Sequence, residues 1–161
     1  MVGDLPTIAR LNDDVQGLHA AAHADLFKPA RAGDEIVAWF AAALAKPGAH
    51  LLVGTIDGAL VGYIYGLVTP YPENPFRYPR QLGLIDQLSV RPAFQRQGHG
   101  AALLDAMLAI FRDADVTRIE LAVWAFNESA RRFYERRGFA TTQYRMALQL
   151  PAAAIPAQAL A

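Results

Sequence analysis

One stretch concentrates residue types that could do chemistry: Leu88-Ser-Val-Arg-Pro-Ala-Phe-Gln95-Arg-Gln-Gly98-His-Gly100. A strand pattern ends at Val90, Arg91-Pro92 makes a turn, and a glycine-rich bend opens into a helix. Backbone N–H groups at such a bend point outward, and the helix dipole adds partial positive charge. The run therefore suits an anion such as a phosphate or pyrophosphate. Gly98 and Gly100 would let that ligand approach the main chain closely; a merely flexible helix entry is the plain alternative. No Gly-Lys-Ser/Thr follows, so this is not a P-loop, and it is not a Rossmann dinucleotide fingerprint either. Asp86 supplies a carboxylate that could accept a proton, and Tyr134 a phenol that could donate one. Each also has a structural reading. Asp86 could be bonded to backbone or to an arginine, and Tyr134 shares a helix face with Ala130 and Phe133 like an ordinary core tyrosine.

The elements that position these residues follow from periodicity. Leu5, Ile8, Leu11, Val15 and Leu18 recur at helical steps over 4–25, with Asp4 as cap and Pro6 in the first turn. A second helix is expected over 33–46, carrying Ile36, Val37, Phe40 and Leu44 and stopped by Pro47-Gly48. Residues 50–56 and 60–68 read as strands joined at Asp57-Gly58. Four prolines make 69–81 a stiffened loop. Strand 82–90, helix 98–113 with Leu103, Leu104, Met107, Leu108 and Phe111 on its inner face, strand 117–124 and helix 127–137 with Gly138 as its stop come next. A last strand or bent pair of strands is expected over 139–150. Alternating parity in strand 82–90 puts Leu84, Asp86, Leu88 and Val90 on one face, with Ile85, Gln87 and Ser89 on the other. The order implies an α/β fold with a mixed sheet, one domain over 1–150 and a low-complexity tail over 151–161.

Composition narrows the function. The 161 residues are 53% hydrophobic and 19% charged, which excludes a disordered chain. Fifteen Lys+Arg balance fifteen Asp+Glu, so the basic footprint of a nucleic-acid binder is missing. With zero cysteines there is no disulfide, thiolate metal site or cysteine nucleophile. His19, His23 and His50 lack ligand-like spacing, so no metal is expected. The longest apolar run, 38–45, is too short for a membrane span, and the start lacks a signal-peptide layout. A soluble cytoplasmic protein is the expectation.

The run Gln95-x-x-Gly98-x-Gly100 resembles the Gln/Arg-x-x-Gly-x-Gly/Ala signature of the GNAT superfamily of N-acetyltransferases. Downstream, Asn127-x-x-Ala130-x-x-Phe133-Tyr134-x-x-x-Gly138-Phe139 resembles that family's second block. The likeness covers roughly 50–150 and the first two helices only loosely. It implies a mostly antiparallel twisted sheet, splayed at the cofactor site and flanked by helices. By this resemblance Gln95, Arg96, Gln97, Gly98, His99, Gly100 and Ala101 hold the pyrophosphate of acetyl-CoA, His99 through its backbone. The main chain of Leu88, Ser89 and Val90 would take the pantetheine arm as a false strand. There the Leu88 N–H would polarise the thioester carbonyl. The Asn127 amide would bond the arm besides capping its helix, and Tyr134 would protonate the departing thiolate. Asp86 stands where many relatives carry Glu, and would act as base directly or through water. Arg131, Arg132, Arg136 and Arg137 read as a solvated helix face.

The acceptor implied is a primary amine of a small molecule, peptide or protein, attacking the thioester directly in a ternary complex. Its recognition is assigned to Tyr71, Glu73, Phe76, Arg77 and Tyr78 with the first two helices. GNAT chains usually begin with a strand ahead of the first helix, and here the helix signal starts almost at Met1. The open sheet edge this leaves, and the habit of the family, suggest a homodimer. A non-catalytic acyl-CoA-binding or regulatory module on the same fold is the rival, followed by a nucleotide-binding domain.

Overall fold

The computed structural model describes residues 4–150; the tail expected over 151–161 lies outside them. The chain divides between Phe126 and Asn127 into two compact units. In the first, helices α1 (Leu5–Ala22) and α2 (Asp34–Leu44) precede strands β1 (Ala49–Ile56), β2 (Ala59–Tyr71) and β3 (Arg80–Val90). Helix α3 (His99–Asp113) and strand β4 (Arg118–Leu121) complete it. The second unit carries α4 (Glu128–Arg136). The sheet order is β1-β2-β3-β4, antiparallel except for the parallel pair β3–β4. Among the described residues no helix is long and apolar enough to cross a membrane.

β2 is the central strand, and six consecutive residues, Val61 to Gly66, are buried. One face meets α1 and α2, where Leu5, Ile8, Leu11 and Phe40 pack with Tyr63. The opposite face meets α3, whose Leu103, Leu104, Met107 and Phe111 are buried as their spacing predicts. Gly83 permits that contact, because a Cβ there would lie 2.7 Å from the Phe111 ring. The Asp57-Gly58 turn has positive φ at both residues (48° and 78°), the geometry that matches the twist of a two-residue hairpin.

Several expectations are corrected. Asp4 sits at the α1 cap position but makes no side-chain capping bond, and Leu18 is 58% exposed. The expected loop 69–81 shrinks to 72–79, because β2 runs on to Tyr71 and β3 starts at Arg80. Pro70 is tolerated within β2 because β1 pairs only as far as Leu67, so nothing on that side asks for a donor. No strand forms over 139–150; Tyr144, Met146, Leu148 and Leu150 are exposed. β4 ends at Leu121 instead of Trp124. The parity of β3 is also different. Tyr65 pairs with Gln87 and Gly66 with Ile85, so Asp86 is an extra, bulged residue. A bulge shifts the alternation by one. Ile85 therefore joins Leu88 and Val90 on the α3 face, and Leu84 joins Gln87 and Ser89 on the α1/α2 face.

Candidate functional site

β3 is bordered by β2 along its whole length but by β4 only from Leu82↔Arg118 to Ile85↔Leu121. From Asp86 to Val90 the side of β3 that β4 had covered has no strand beside it among the described residues. Three residues past the last pair stand Leu88 on β3 and Trp124 beyond β4. The face of this half that meets α1 is fastened. Ser89 Oγ donates to the Leu11 carbonyl (3.2 Å). The Tyr63 hydroxyl lies 2.7 Å from Gln87 Oε1 and 3.0 Å from Asn12 Oδ1. Burial, and secondarily the Asp86 charge, push the Tyr63 phenol far up, so it remains a protonated hydrogen-bonding group. Asp86, at the bulge, is itself held above the usual carboxylate range by burial, with the Lys46 ammonium partly opposing.

The open half of β3 leads straight into the glycine-rich bend. After a single turn at Pro92–Phe94, Arg96 and Gly98 both take left-handed backbone, φ 61° and 91°. A non-glycine residue in that region costs about 1–3 kcal/mol and marks sites the surroundings over-determine. Gln95 Nε2 donates to the Val90 carbonyl (2.8 Å) and Gln97 Nε2 to the Ala93 carbonyl (2.9 Å). These two amides fold back and brace the loop from inside. α3 then starts at His99 with no side-chain cap, so the first-turn N–H groups of His99, Gly100 and Ala101 lack intrahelical partners. A Cβ on Gly98 would meet nothing within 4 Å; what the position demands is its positive φ, and the space in front of it is open. An uncapped helix start behind a left-handed bend is the geometry that suits an anion, and here it stands at the end of an open strand edge.

A family model of acetyltransferases (GNAT) matches residues 14–139. The chain belongs to the GNAT acetyltransferase family. Among relatives of this GNAT chain are a mycothiol acetyltransferase of Propionibacterium freudenreichii, 34% identical over 101 residues (63% of this chain, 29% of that protein). An uncharacterized N-acetyltransferase of Lactobacillus delbrueckii is 30% identical over 95 residues (59% and 54%). The chain thus spans between 29% and 54% of the length of the curated relatives it matches. Its fold is similar to that of the BH1408 protein from Bacillus halodurans, with TM-score 0.85 and 27% identity over 93% of this chain and 96% of that one. A putative acetyltransferase from Agrobacterium tumefaciens gives TM-score 0.71 at 25% identity, covering 93% and 96%.

Acetyl-CoA is the donor of GNAT acetyltransferases, and the open β3 half followed by the uncapped α3 turn fits its extended arm and its pyrophosphate. The structure brings together Asp86, Leu88, Ser89 and Val90 on that half, with Gln95 to Ala101 continuing from it. The Gln95 and Gln97 side chains are taken up in bracing the loop. In the second unit, Asn127 Oδ1 accepts from the Ala130 N–H (3.1 Å) and so caps α4. Gly138 (φ 87°) ends α4, with Gly138 N–H bonded to Glu135 O and Phe139 N–H to Tyr134 O, the paired bonds of a glycine-terminated helix. The Tyr134 ring lies between Phe133 (5.0 Å) and Phe139 (5.5 Å), and burial pushes its phenol up to about 12. Arg132 pairs with Glu128 on the exposed face of α4.

Tyr71, Glu73, Phe76 and Tyr78 are not brought to the open half. They stand at the tip of the β2–β3 hairpin, where Arg77 donates to the Tyr71 hydroxyl (2.8 Å). Leu88 lies eight residue steps along β3 from Arg80, about 26 Å at roughly 3.3 Å per residue. Sequence reasoning missed an aromatic cluster: His19, His23, Phe27, Trp124 and Phe126, with ring centroids 4.9–6.3 Å apart. The His19/His23 spacing, one helical turn, was its only local trace. The other members come from a loop and from beyond β4. His19 Nδ1 lies 2.8 Å from the Val15 carbonyl, which directs its Nε2 away from the helix. Among the described residues no group of His, Asp and Glu could hold a metal.

Proposed function

We propose that this chain is an acetyl-CoA-dependent N-acetyltransferase acting on a primary amine. The observation that carries the reading is the continuity of an unpaired strand half, Asp86–Val90, with an uncapped helix N-terminus at His99. One offers main-chain hydrogen bonds to an extended amide-bearing arm, and the other offers N–H groups to its phosphates. The Leu88 N–H polarises the thioester carbonyl, and the neutral amine nitrogen attacks its carbon. As the C–N bond forms, the C–S bond breaks, giving an amide and CoA thiol. Asp86 takes the ammonium proton, directly or through water. Its raised affinity for protons brings it closer to the task than an ordinary aspartate.

Tyr134 donates toward the departing sulfur. A phenol near 12 is a weaker acid than a thiol of about 8.5. It therefore stabilises the thiolate by hydrogen bonding, and the net proton arrives on release. The acceptor amine approaches beside Trp124 and the α1 aromatic cluster. The hairpin-tip aromatics reach only an acceptor long enough to span β3.

The test is thiol release from acetyl-CoA with pooled amines, read by a colorimetric thiol reagent; zero cysteines keep the background nil. Release that depends on one pool is expected. Acetyl-CoA at about a hundredfold over its Kd should add about 2.7 kcal/mol of stability. No thermal shift removes the donor assignment, and a shift with no release from any small-amine, peptide or protein pool favours the binding-module rival. Tyr134→Phe should keep the shift and slow turnover by about a hundredfold; unchanged turnover removes Tyr134 from the mechanism.

A further inference from the structure

The stretch 118–124, RIELAVW, keeps a strand pattern to its end, yet β4 stops at Leu121. Continued in the register that β4 holds with β3, Ala122 would stand beside Asp86 and Trp124 beside Leu88. The ladder is therefore forgone over the very residues that leave the β3 edge open. Trp124 is taken up elsewhere. Its ring meets His23 at 5.2 Å and Phe27 at 5.1 Å. Phe126 meets His19 at 5.5 Å and His23 at 5.6 Å. Ring pairs at such separations attract beyond the area they bury.

The α1 side of this clasp is braced. A carbonyl only accepts, so His19 Nδ1 donates to the Val15 carbonyl (2.8 Å), which fixes the imidazole. Phe27 is folded back toward α1. Its N–H donates to the His23 carbonyl (3.0 Å), and Gln16 Nε2 donates to the Lys28 carbonyl (2.6 Å). Eight residues earlier than His19, α1 is tied to β3 itself. The Leu11 carbonyl accepts from Ser89 Oγ, and Asn12 shares the Tyr63 hydroxyl with Gln87. α1 is thus a strut with one foot on Gln87 and Ser89 and the other on Trp124. From Leu11 to His19 it measures about 12 Å at roughly 1.5 Å per residue. Seating one extended chain between two strands takes about 9.6 Å, twice the ordinary spacing. The strut is long enough for that gap.

We propose that His19, His23 and Phe27, by clasping Trp124 and Phe126, hold the continuation of β4 away from β3 and so keep the donor's slot open. They are positioning residues, and the inference rests on the reading that the open half takes the acetyl-CoA arm. Without the rings, residues 122–124 zip onto Asp86–Leu88, and the edge is taken up by the sheet.

Hydrogen exchange of the ligand-free chain reads that edge without any substrate. Loss of packing alone speeds exchange, whereas closure slows it. Trp124→Ala should slow the gap-facing amides over 86–88 by about tenfold or more. Calorimetry should show acetyl-CoA affinity weakened by about tenfold, and Trp124→Tyr, which keeps a ring, should recover most of it. His23→Ala attacks the clasp from α1 and should act alike, with the double variant less than additive; it also serves if Trp124→Ala does not fold. Unchanged or faster exchange over 86–88 in these variants overturns the proposal, even where affinity falls, since the ring then touches the ligand itself. Slowed exchange with affinity intact overturns the positioning role, because the donor then lies elsewhere. A native chain that binds no acetyl-CoA ends the reading of the donor site, while exchange still decides what holds the edge open.

Discussion

The two halves of β3 are one strand used in two ways. From Leu82 to Ile85 it is hydrogen-bonded on both sides, to β2 and β4, and Gly83 packs against the buried ring of Phe111. From Asp86 to Val90 it keeps β2 but, among the described residues, has no strand on its other side. A bulge at Asp86 stands at the boundary, where the last β3–β4 pair is made. The first half spends its main chain on the sheet, and its substitutions should register as stability. The second half keeps polar main-chain groups available, and its substitutions should register as ligand binding. A binding edge can be left open here because β2 holds the other edge and Ser89, Gln87 and Tyr63 fasten one face of the strand to α1.

The hardest attempt to break this contrast is Gly83→Val. The added side chain starts 2.7 Å from a ring that has 0% exposure, and overpacking of that kind costs about 2–3 kcal/mol. A thermal melt should fall by about 5–10 °C, while acetyl-CoA affinity, measured well below the midpoint, stays within about twofold. Lost affinity in folded molecules would mean that the halves are not separable. Gly98→Val probes the opposite limit. The space is open, so only left-handed strain of about 1–2 kcal/mol is added. The cradle should distort, and calorimetry should show acetyl-CoA binding weakened by about tenfold. If its stability cost equals that of Gly83→Val with affinity intact, the cradle is scaffold and not a binding site.

The smallest effect is expected at the boundary. Asp86 has its folded-state proton affinity raised by burial, so the charged form is disfavoured on folding. Its contribution to stability is full below its unfolded-state pKa and is lost as pH rises through the higher folded value. Asp86→Asn should therefore raise the melting midpoint slightly at neutral pH, with the advantage vanishing in acid, while lowering turnover at saturating donor. A variant that melts lower at neutral pH would show that the carboxylate is a structural partner instead.

Much of the contrast could be read from residues in order. Gly98, Gly138, the Asp57-Gly58 turn and the buried stripe of α3 are local signals, each decided by φ or by helical spacing, and each appears where expected. The facing of Asp86 could not be read that way. One bulged residue shifts the alternation of β3, and bulges depend on the partner strand. Pro70 looked like a loop residue because its missing N–H matters only if a neighbour strand asks for it, and β1 stops short. Trp124 looked like the end of a strand, and what takes it up is a ring cluster with α1 in place of a neighbour strand. The hairpin-tip aromatics were placed near the acceptor by composition, whereas strand length carries them about 26 Å from Leu88.

By itself the amino-acid order determined the helices, the hairpin, the glycine cradle and the family, because capping, periodicity and backbone chirality act over a few residues. The tertiary structure alone decided which side of β3 stays open, where its alternation breaks at Asp86 and what stands beside Trp124. It also left residues 139–150, strand-like in pattern, without a strand. Hydrogen-bonding edges are satisfied only by neighbours, and a neighbour's position is a property of the packed chain.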